Sequence, residues 1–111
     1  MSKFIIKKRG KGKTTDLIKR SAETGEVIIC KDFNRCRLVV KIAEDLKCLI
    51  PRPMFVKEIF KEQGRATLHE RCRKSTTGKV LIDDVDDVLE ALIGVPCAVV
   101  TGSPDEVNDE N

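Results

Sequence analysis

Apolar residues along this chain fall into two kinds of pattern. Four short, unbroken runs stand out: Phe4-Ile5-Ile6, Val27-Ile28-Ile29-Cys30, Val80-Leu81-Ile82 and Ala98-Val99-Val100. Each is too short for a helix and has glycine, proline or charged residues at or within two positions of its ends, which predicts strands buried on both faces. Between them the apolar positions recur three and four apart. Leu17, Ile18, Ser21 and Ala22 share one face of a helix predicted over Thr14 to Thr24, with Gly25 at its end. Asp32 or Asn34 is positioned to cap a second helix carrying Cys36, Val39, Val40, Ala43, Leu46 and Leu49, closed by Pro51 and Pro53. Met54-Phe55-Val56 reads as a short strand or the start of a helix. Lys57 to Gln63 reads as helical with Ile59 and Phe60 inward, and at least one helical turn is predicted around Leu68 to Cys72. A last amphipathic helix is predicted over Asp84 to Leu92, with Val85, Val88, Leu89 and Leu92 inward and Gly94 after it. Strands that alternate with helices predict an α/β fold with a mainly parallel, buried sheet.

Length and composition narrow the picture. One domain accounts for 111 residues, expected over 1–103, with an acidic tail over 104–111 expected to fray. The chain is 41% hydrophobic and 35% charged, which excludes a disordered or fibrous polymer. No apolar run approaches the roughly 20 residues of a membrane span, and the apolar part of the first residues is too short for a signal peptide. Trp and Tyr are absent and Phe occurs four times, which argues against a module that stacks bases on aromatics. The cysteines, Cys30, Cys36, Cys48, Cys72 and Cys97, are odd in number and form no Cys-x-x-Cys pair. They read as reduced thiols, and with no export signal the expected location is the cytoplasm. His69 and Cys72 could share a helix face, but two ligands do not make a zinc site.

The net charge of +3 conceals a gradient. Residues 1–20 hold eight Lys/Arg against one Asp, and residues 21–81 hold thirteen against eight acids. Residues 82–111 hold nine acids and no Lys or Arg. A basic head of this kind suits polyanions such as nucleotide phosphates, DNA or RNA, and if the wider basic excess forms a nucleic-acid face, Arg71, Arg73 and Lys74 of the middle segment are candidate phosphate contacts.

Candidate chemistry collects at three predicted strand ends, where open α/β sheets bind ligands. The first strand runs into Lys8-Arg9-Gly10-Lys11-Gly12-Lys13-Thr14-Thr15. Gly10 and Gly12 let the backbone N–H groups approach a ligand, and a helix beginning at Thr14 directs its positive dipole end to the same place. Lys13 supplies a charge for a β- or γ-phosphate and Thr14 a hydroxyl for Mg²⁺. The pattern departs from a full Walker A motif, because Lys7 stands where the first glycine belongs. The second strand end, Val80-Leu81-Ile82-Asp83-Asp84, has the form of a Walker B motif. Asp83 is placed to hold Mg²⁺, and Asp84 to orient or activate a water. Asp86 and Asp87 are expected only to charge the start of the helix. The third strand end is Thr101-Gly102-Ser103-Pro104, whose Thr101 hydroxyl could sense a γ-phosphate.

Taken together, these motifs resemble a minimal P-loop ATPase of the branch with an extra strand between the phosphate-loop strand and the Walker B strand. Within that branch the chain is most similar to the ATPase core of phage large terminases and superfamily-two helicases. Arg9-Gly10-Lys11-Gly12-Lys13-Thr14-Thr15 resembles the R-x-x-G-K-[ST]-T form of the terminase loop, and Thr101-Gly102-Ser103-Pro104 resembles their T-[AG]-[ST]-P coupling motif. The resemblance spans residues 3–104, with about fifteen positions carrying it. It also extends to small phage-type P-loop proteins with an I-D-[DEN] second motif.

The resemblance implies a three-layer fold with the last strand between the first strand and the Walker B strand. It implies ATP (or another NTP) with Mg²⁺ as ligands, and slow or partner-stimulated hydrolysis in a phage DNA-metabolism accessory of a bacterial or phage-infected cell. Gly10, Lys11, Gly12, Lys13, Thr14 and Thr15 would hold phosphate, and Thr14 and Asp83 the metal. Asp84 would be the base, with Arg9 and Thr101 contacting the γ-phosphate. A protein partner or a second copy would complete the site. Asp84 stands where the branch usually has Glu, and the chain is about half the usual length of such a domain. The alternative is a non-hydrolytic, degenerate P-loop module that binds nucleic acid or a host protein.

Overall fold

Residues 13–94 are described in the computed structural model of the chain. Helix α1 (Lys13–Thr24) follows the predicted span and buries Leu17, Ile18 and Ser21. It ends at Gly25, whose φ of 77° is the left-handed conformation that glycine adopts at no steric cost. Strand β1 (Val27–Cys30) is buried at every position, as its unbroken apolar run requires. Asp32 caps α2 (Phe33–Asp45), its Oδ1 accepting from the Arg35 backbone N–H at 2.9 Å. Strand β2 (Met54–Phe55) runs directly into a single turn, α3 (Val56–Ile59), so the two alternatives for that segment both hold in succession. Helix α4 (Gly64–Lys74), strand β3 (Val80–Ile82) and helix α5 (Val85–Ile93) complete the described chain.

The three strands form one parallel sheet in the order β2-β1-β3, with Val27 opposite Val80 and Ile29 opposite both Ile82 and Met54. Because side chains alternate along a strand, β1 feeds two cores. Ile28 and Cys30 pack with Leu17, Ile18, Cys36, Val39, Ala43 and Leu81 beneath α1 and α2. Val27 and Ile29 pack with Met54 on the opposite face, against Ile59 and Leu68 of α3 and α4. Helices therefore cover both faces of a parallel sheet, the arrangement that α/β connections impose. Among the described residues β3 pairs on one side only. The expected strands at 4–6 and 98–100, and the expected tail, lie outside the described residues, as does Cys97.

Four helical expectations need correction, the first being Leu92 of α5, which was expected inward and is 46% exposed. Leu46 and Leu49 were expected on the buried stripe of α2, but both are exposed, Leu49 by 92%. The helix stops at a Schellman turn: Cys48 N–H donates to Ala43 O and Lys47 N–H to Glu44 O, with Lys47 at a φ of 57°. A lysine occupies the position where glycine usually announces this turn, so the sequence carries no stop signal before Pro51. Phe60 was expected inward and is 56% exposed. The helix it should continue ends at Ile59, and the Arg65 guanidinium covers its ring at 5.3 Å. Ala22 is exposed rather than part of the buried face. The helix expected around Leu68 to Cys72, of at least one turn, is present and extends over Gly64–Lys74 as α4. It starts where Gly64 presses against the carbonyls of Glu58 and Ile59, leaving no room for a Cβ.

The amino edge of the sheet is tied by a buried acid. Glu26 precedes β1 and is almost fully buried. Its carboxylate accepts from Arg20 Nε at 2.7 Å, Thr24 Oγ1 at 2.9 Å and Thr77 Oγ1 at 2.5 Å. Burial alone would push its pKa up, but the hydrogen bonds from Arg20, Thr77 and Thr24 together outweigh that and hold it below the ordinary value. The loop before β3 is thereby fastened to the end of α1, a link reinforced by Thr76 N–H donating to Thr24 O at 2.8 Å.

Candidate functional site at the carboxyl edge of the sheet

All three strands point their carboxyl ends at the same edge, and the segments leaving β1 and β3 meet there. Asp83 follows β3 directly, and its backbone N–H extends the ladder to Ile29 O at 2.9 Å. That bond fixes the backbone of Asp83 at the rim, and its side chain is fully buried. Thr14 reaches the same rim from the first turn of α1. Arg35 reaches it from the first turn of α2, positioned by the Asp32 cap.

Arg35 joins the other two. Its Nε donates to Asp83 Oδ2 at 2.5 Å, and its Nη2 donates to both Asp83 Oδ1 at 3.3 Å and Thr14 Oγ1 at 2.8 Å. One guanidinium thus gathers a carboxylate and a hydroxyl that lie far apart in sequence. The hydrogen bond to Asp83 raises the Arg35 pKa further, so the group is a permanent cation. Beneath the pair, Cys30 and Cys36 are buried and free. The hydrogen bond with Cys36, together with burial, pushes the Cys30 thiol far up, so it stays protonated. The expected reduced state of these cysteines is what is seen for the four that are described.

Asp84 is buried beside this cluster and has φ 66° and ψ 82°, a left-handed conformation that costs a non-glycine residue roughly 1–2 kcal/mol. Aspartate tolerates it better than most residues. Carboxylate oxygens of Asp84, Asp86 and Asp87 lie within 4.8 Å of one another at the start of α5, where the helix dipole favours negative charge. The expected charging of this helix start by Asp86 and Asp87 is therefore seen. Asp87 also approaches the Lys31 ammonium, at 4.0 Å.

Of the residues singled out in the sequence, Thr14 and Asp83 come together, and Asp84 adjoins them. Thr15 is half-buried in the first turn of α1, and Lys13 opens that helix. Arg9, Gly10, Lys11, Gly12 and Thr101 lie outside the described residues. Arg71, Arg73 and Lys74 occupy the last turn of α4, where the helix dipole favours cations. Arg71 donates to Arg52 O at 2.9 Å, and Arg73 and Lys74 both pair with Glu70. His69 is exposed, and the Cys72 thiol faces the Gly78 carbonyl.

Two features escaped the sequence reading. Arg35 is one: it sits in the first turn of α2, past the end of β1, and nothing local in the sequence reports that its guanidinium turns back to the end of β3. The other is an aromatic pair. Phe33 and Phe55 meet edge to face at 5.9 Å, flanking an open cleft of about 510 Å³ that Lys31 and Lys57 also line. Their meeting depends on the parallel pairing of β1 with β2, which no local pattern reports.

The donor set can be tested for a metal on its own chemistry. A hydroxyl and a carboxylate are hard oxygen ligands, and here both already turn toward a single cation. That suits Mg²⁺, which takes few protein ligands and keeps several waters. No helix among the described residues is long and apolar enough to cross a membrane. Comparison with protein-family models, with curated proteins and with solved structures finds no match.

Proposed function

We propose that the chain binds an Mg²⁺–nucleoside triphosphate, ATP being the reference ligand, at the carboxyl edge of its sheet, and hydrolyses it slowly or only with a partner. One observation carries this reading: Thr14 and Asp83, assigned to the same metal from separate motifs, share one cation in the folded chain. Three further features support it. The sheet is parallel, α1 begins at this rim, and the Asp83–Asp84 pair leaves the strand end where ligands of such sheets bind. The unpaired edge of β3 among the described residues is compatible with the expected order, in which a further strand and then the phosphate-loop strand follow.

In this reading, backbone N–H groups of Gly10 to Lys13 and the Lys13 ammonium bind phosphate oxygens, helped by the positive end of α1. Thr14 and Asp83 would hold the metal, whose positive charge would neutralise charge developing on the phosphate. Asp84 orients the attacking water, and Arg9 and Thr101 contact the γ-phosphate. Aspartate is one methylene shorter than the glutamate of the resembling family. A water misplaced by about 1 Å loses on the order of a hundredfold in rate, so turnover is weak.

The test is equilibrium ATP binding and single-turnover phosphate release with the full chain and its Lys13→Ala variant. Lys13→Ala should weaken binding by roughly 1.5–3 kcal/mol, the range for hydrogen bonds to charged groups, with little effect on fold stability. Binding without phosphate release would favour the non-hydrolytic module. Absence of ATP binding in the parent would end the nucleotide reading.

A further inference from the structure

We infer that Arg35 is an internal cation that closes the Thr14–Asp83 site and must be displaced before a divalent ion can enter. The inference rests on reading Thr14 and Asp83 as the metal pair, and it adds a regulating residue that the motifs do not contain. The geometry is that of an occupied cation seat. Both carboxylate oxygens of Asp83 and the hydroxyl of Thr14 are engaged by the Nε and Nη2 atoms of one guanidinium. A second positive charge cannot use the same three oxygens at the same time, because the two cations would repel at contact distance in a buried setting.

The two halves of the device differ in freedom. Asp83 is anchored in the sheet and its side chain is fully buried, whereas 28% of the Arg35 side chain is exposed. The Arg35 backbone is held by the Asp32 cap, independently of where its guanidinium goes. The long side chain can therefore leave for solvent while helix and sheet stay in place. Departure strips a buried carboxylate of its charge partner, so displacement needs a replacement cation. Free nucleotide brings only negative charge and cannot replace Arg35. A free divalent ion replaces it but offers the guanidinium no new acceptor. The metal–nucleotide complex supplies both, since its phosphate oxygens are strong acceptors for a displaced arginine. Arg35 thus makes the site select the complex over either component.

The experiment titrates MgCl₂ at constant ionic strength into the full chain and its Arg35→Gln and Arg35→Lys variants. Two readouts are followed: the melting temperature without nucleotide, and ATP binding at fixed ATP. Arg35→Gln should lower the Mg²⁺ midpoint by about tenfold or more, the factor equivalent to one charge-assisted hydrogen bond. Arg35→Lys, which keeps the charge but cannot fork between Asp83 and Thr14, should lower it by less. Adding Asp83→Asn to Arg35→Gln should erase the Mg²⁺ response. A merely structural role for Arg35 would lower the melting temperature and leave the midpoint where it was. A midpoint in Arg35→Gln equal to or above the parent's overturns the inference. If that variant does not fold, Arg35→Lys decides by the same criterion. ATP binding with an unmoved midpoint would refute the displaced cation and leave the nucleotide site standing. A lowered midpoint in a chain that never binds ATP would do the reverse.

Discussion

At the amino edge of the sheet Glu26 is buried against Arg20; at the carboxyl edge Asp83 is buried against Arg35. Both are arginine–carboxylate pairs with a buried acid, yet they are built for different ends. Glu26 has three side chains converging on it, two of them threonine hydroxyls from the end of α1 and the loop before β3. Losing any one leaves the others. Asp83 is engaged, among the described residues, by one arginine that is shared with Thr14. Redundant neutral partners suit a fixed strut, and in the proposed reading a single exchangeable cation marks the site. The contrast also follows the fold: ligands of parallel sheets gather at carboxyl edges, and amino edges are left to hold the structure together.

The largest expected effect comes from breaking the carboxyl-edge pair. Arg35→Ala leaves a buried carboxylate without its cation and should cost about 3–5 kcal/mol in urea unfolding without Mg²⁺. Millimolar Mg²⁺ should restore a large part of that stability, which a fixed strut would not allow. Arg20→Ala should cost less, about 1–3 kcal/mol, because Thr24 and Thr77 still donate to Glu26. Mg²⁺ should restore none of it. Equal Mg²⁺ rescue of both variants would dissolve the distinction between the two ends.

Acid unfolding sharpens the comparison. Glu26 has a folded pKa below its ordinary value near 4.5. Its stabilising contribution is therefore complete above that value and is lost as pH falls through the lowered one. Arg20→Ala removes one source of the depression, so its acid unfolding midpoint should move to higher pH than the parent's, read by circular dichroism across pH 2 to about 6. The smallest effect on the fold is expected at Asp84. Asparagine shares aspartate's tolerance of the left-handed backbone and nearly its shape, so Asp84→Asn should change stability less than either arginine variant does. It should nevertheless abolish phosphate release and leave ATP affinity similar or higher, having removed a negative charge near the phosphates. A variant that releases phosphate as fast as the parent would reduce Asp84 to a helix-start carboxylate.

What the sequence disclosed, and what it did not, follows from where each signal resides. β1, β3, α1 and α5 were legible because their apolar runs and their flanking glycines or acids are local. The end of α2 was not, since Lys47 takes a conformation that glycine normally advertises. Nor was the exposure of Phe60, which depends on α3 stopping after one turn where α4 packs on it. At the site, Thr14, Asp83 and Asp84 could be named from motif spacing. Arg35 could not be assigned a partner, because its three hydrogen bonds reach two elements that only the tertiary fold brings near. An arginine in the first turn of a helix after a buried strand is ordinary; where its guanidinium goes decides its role.

The most direct measurement is calorimetric titration of the full chain with ATP, once with Mg²⁺ and once with a chelator. If the carboxyl edge holds the metal–nucleotide complex through Thr14 and Asp83, binding is saturable with Mg²⁺ and about tenfold weaker or undetectable without it. No saturable heat under either condition, or the same affinity under both, would contradict the assignment of Thr14 and Asp83 to a metal–nucleotide site.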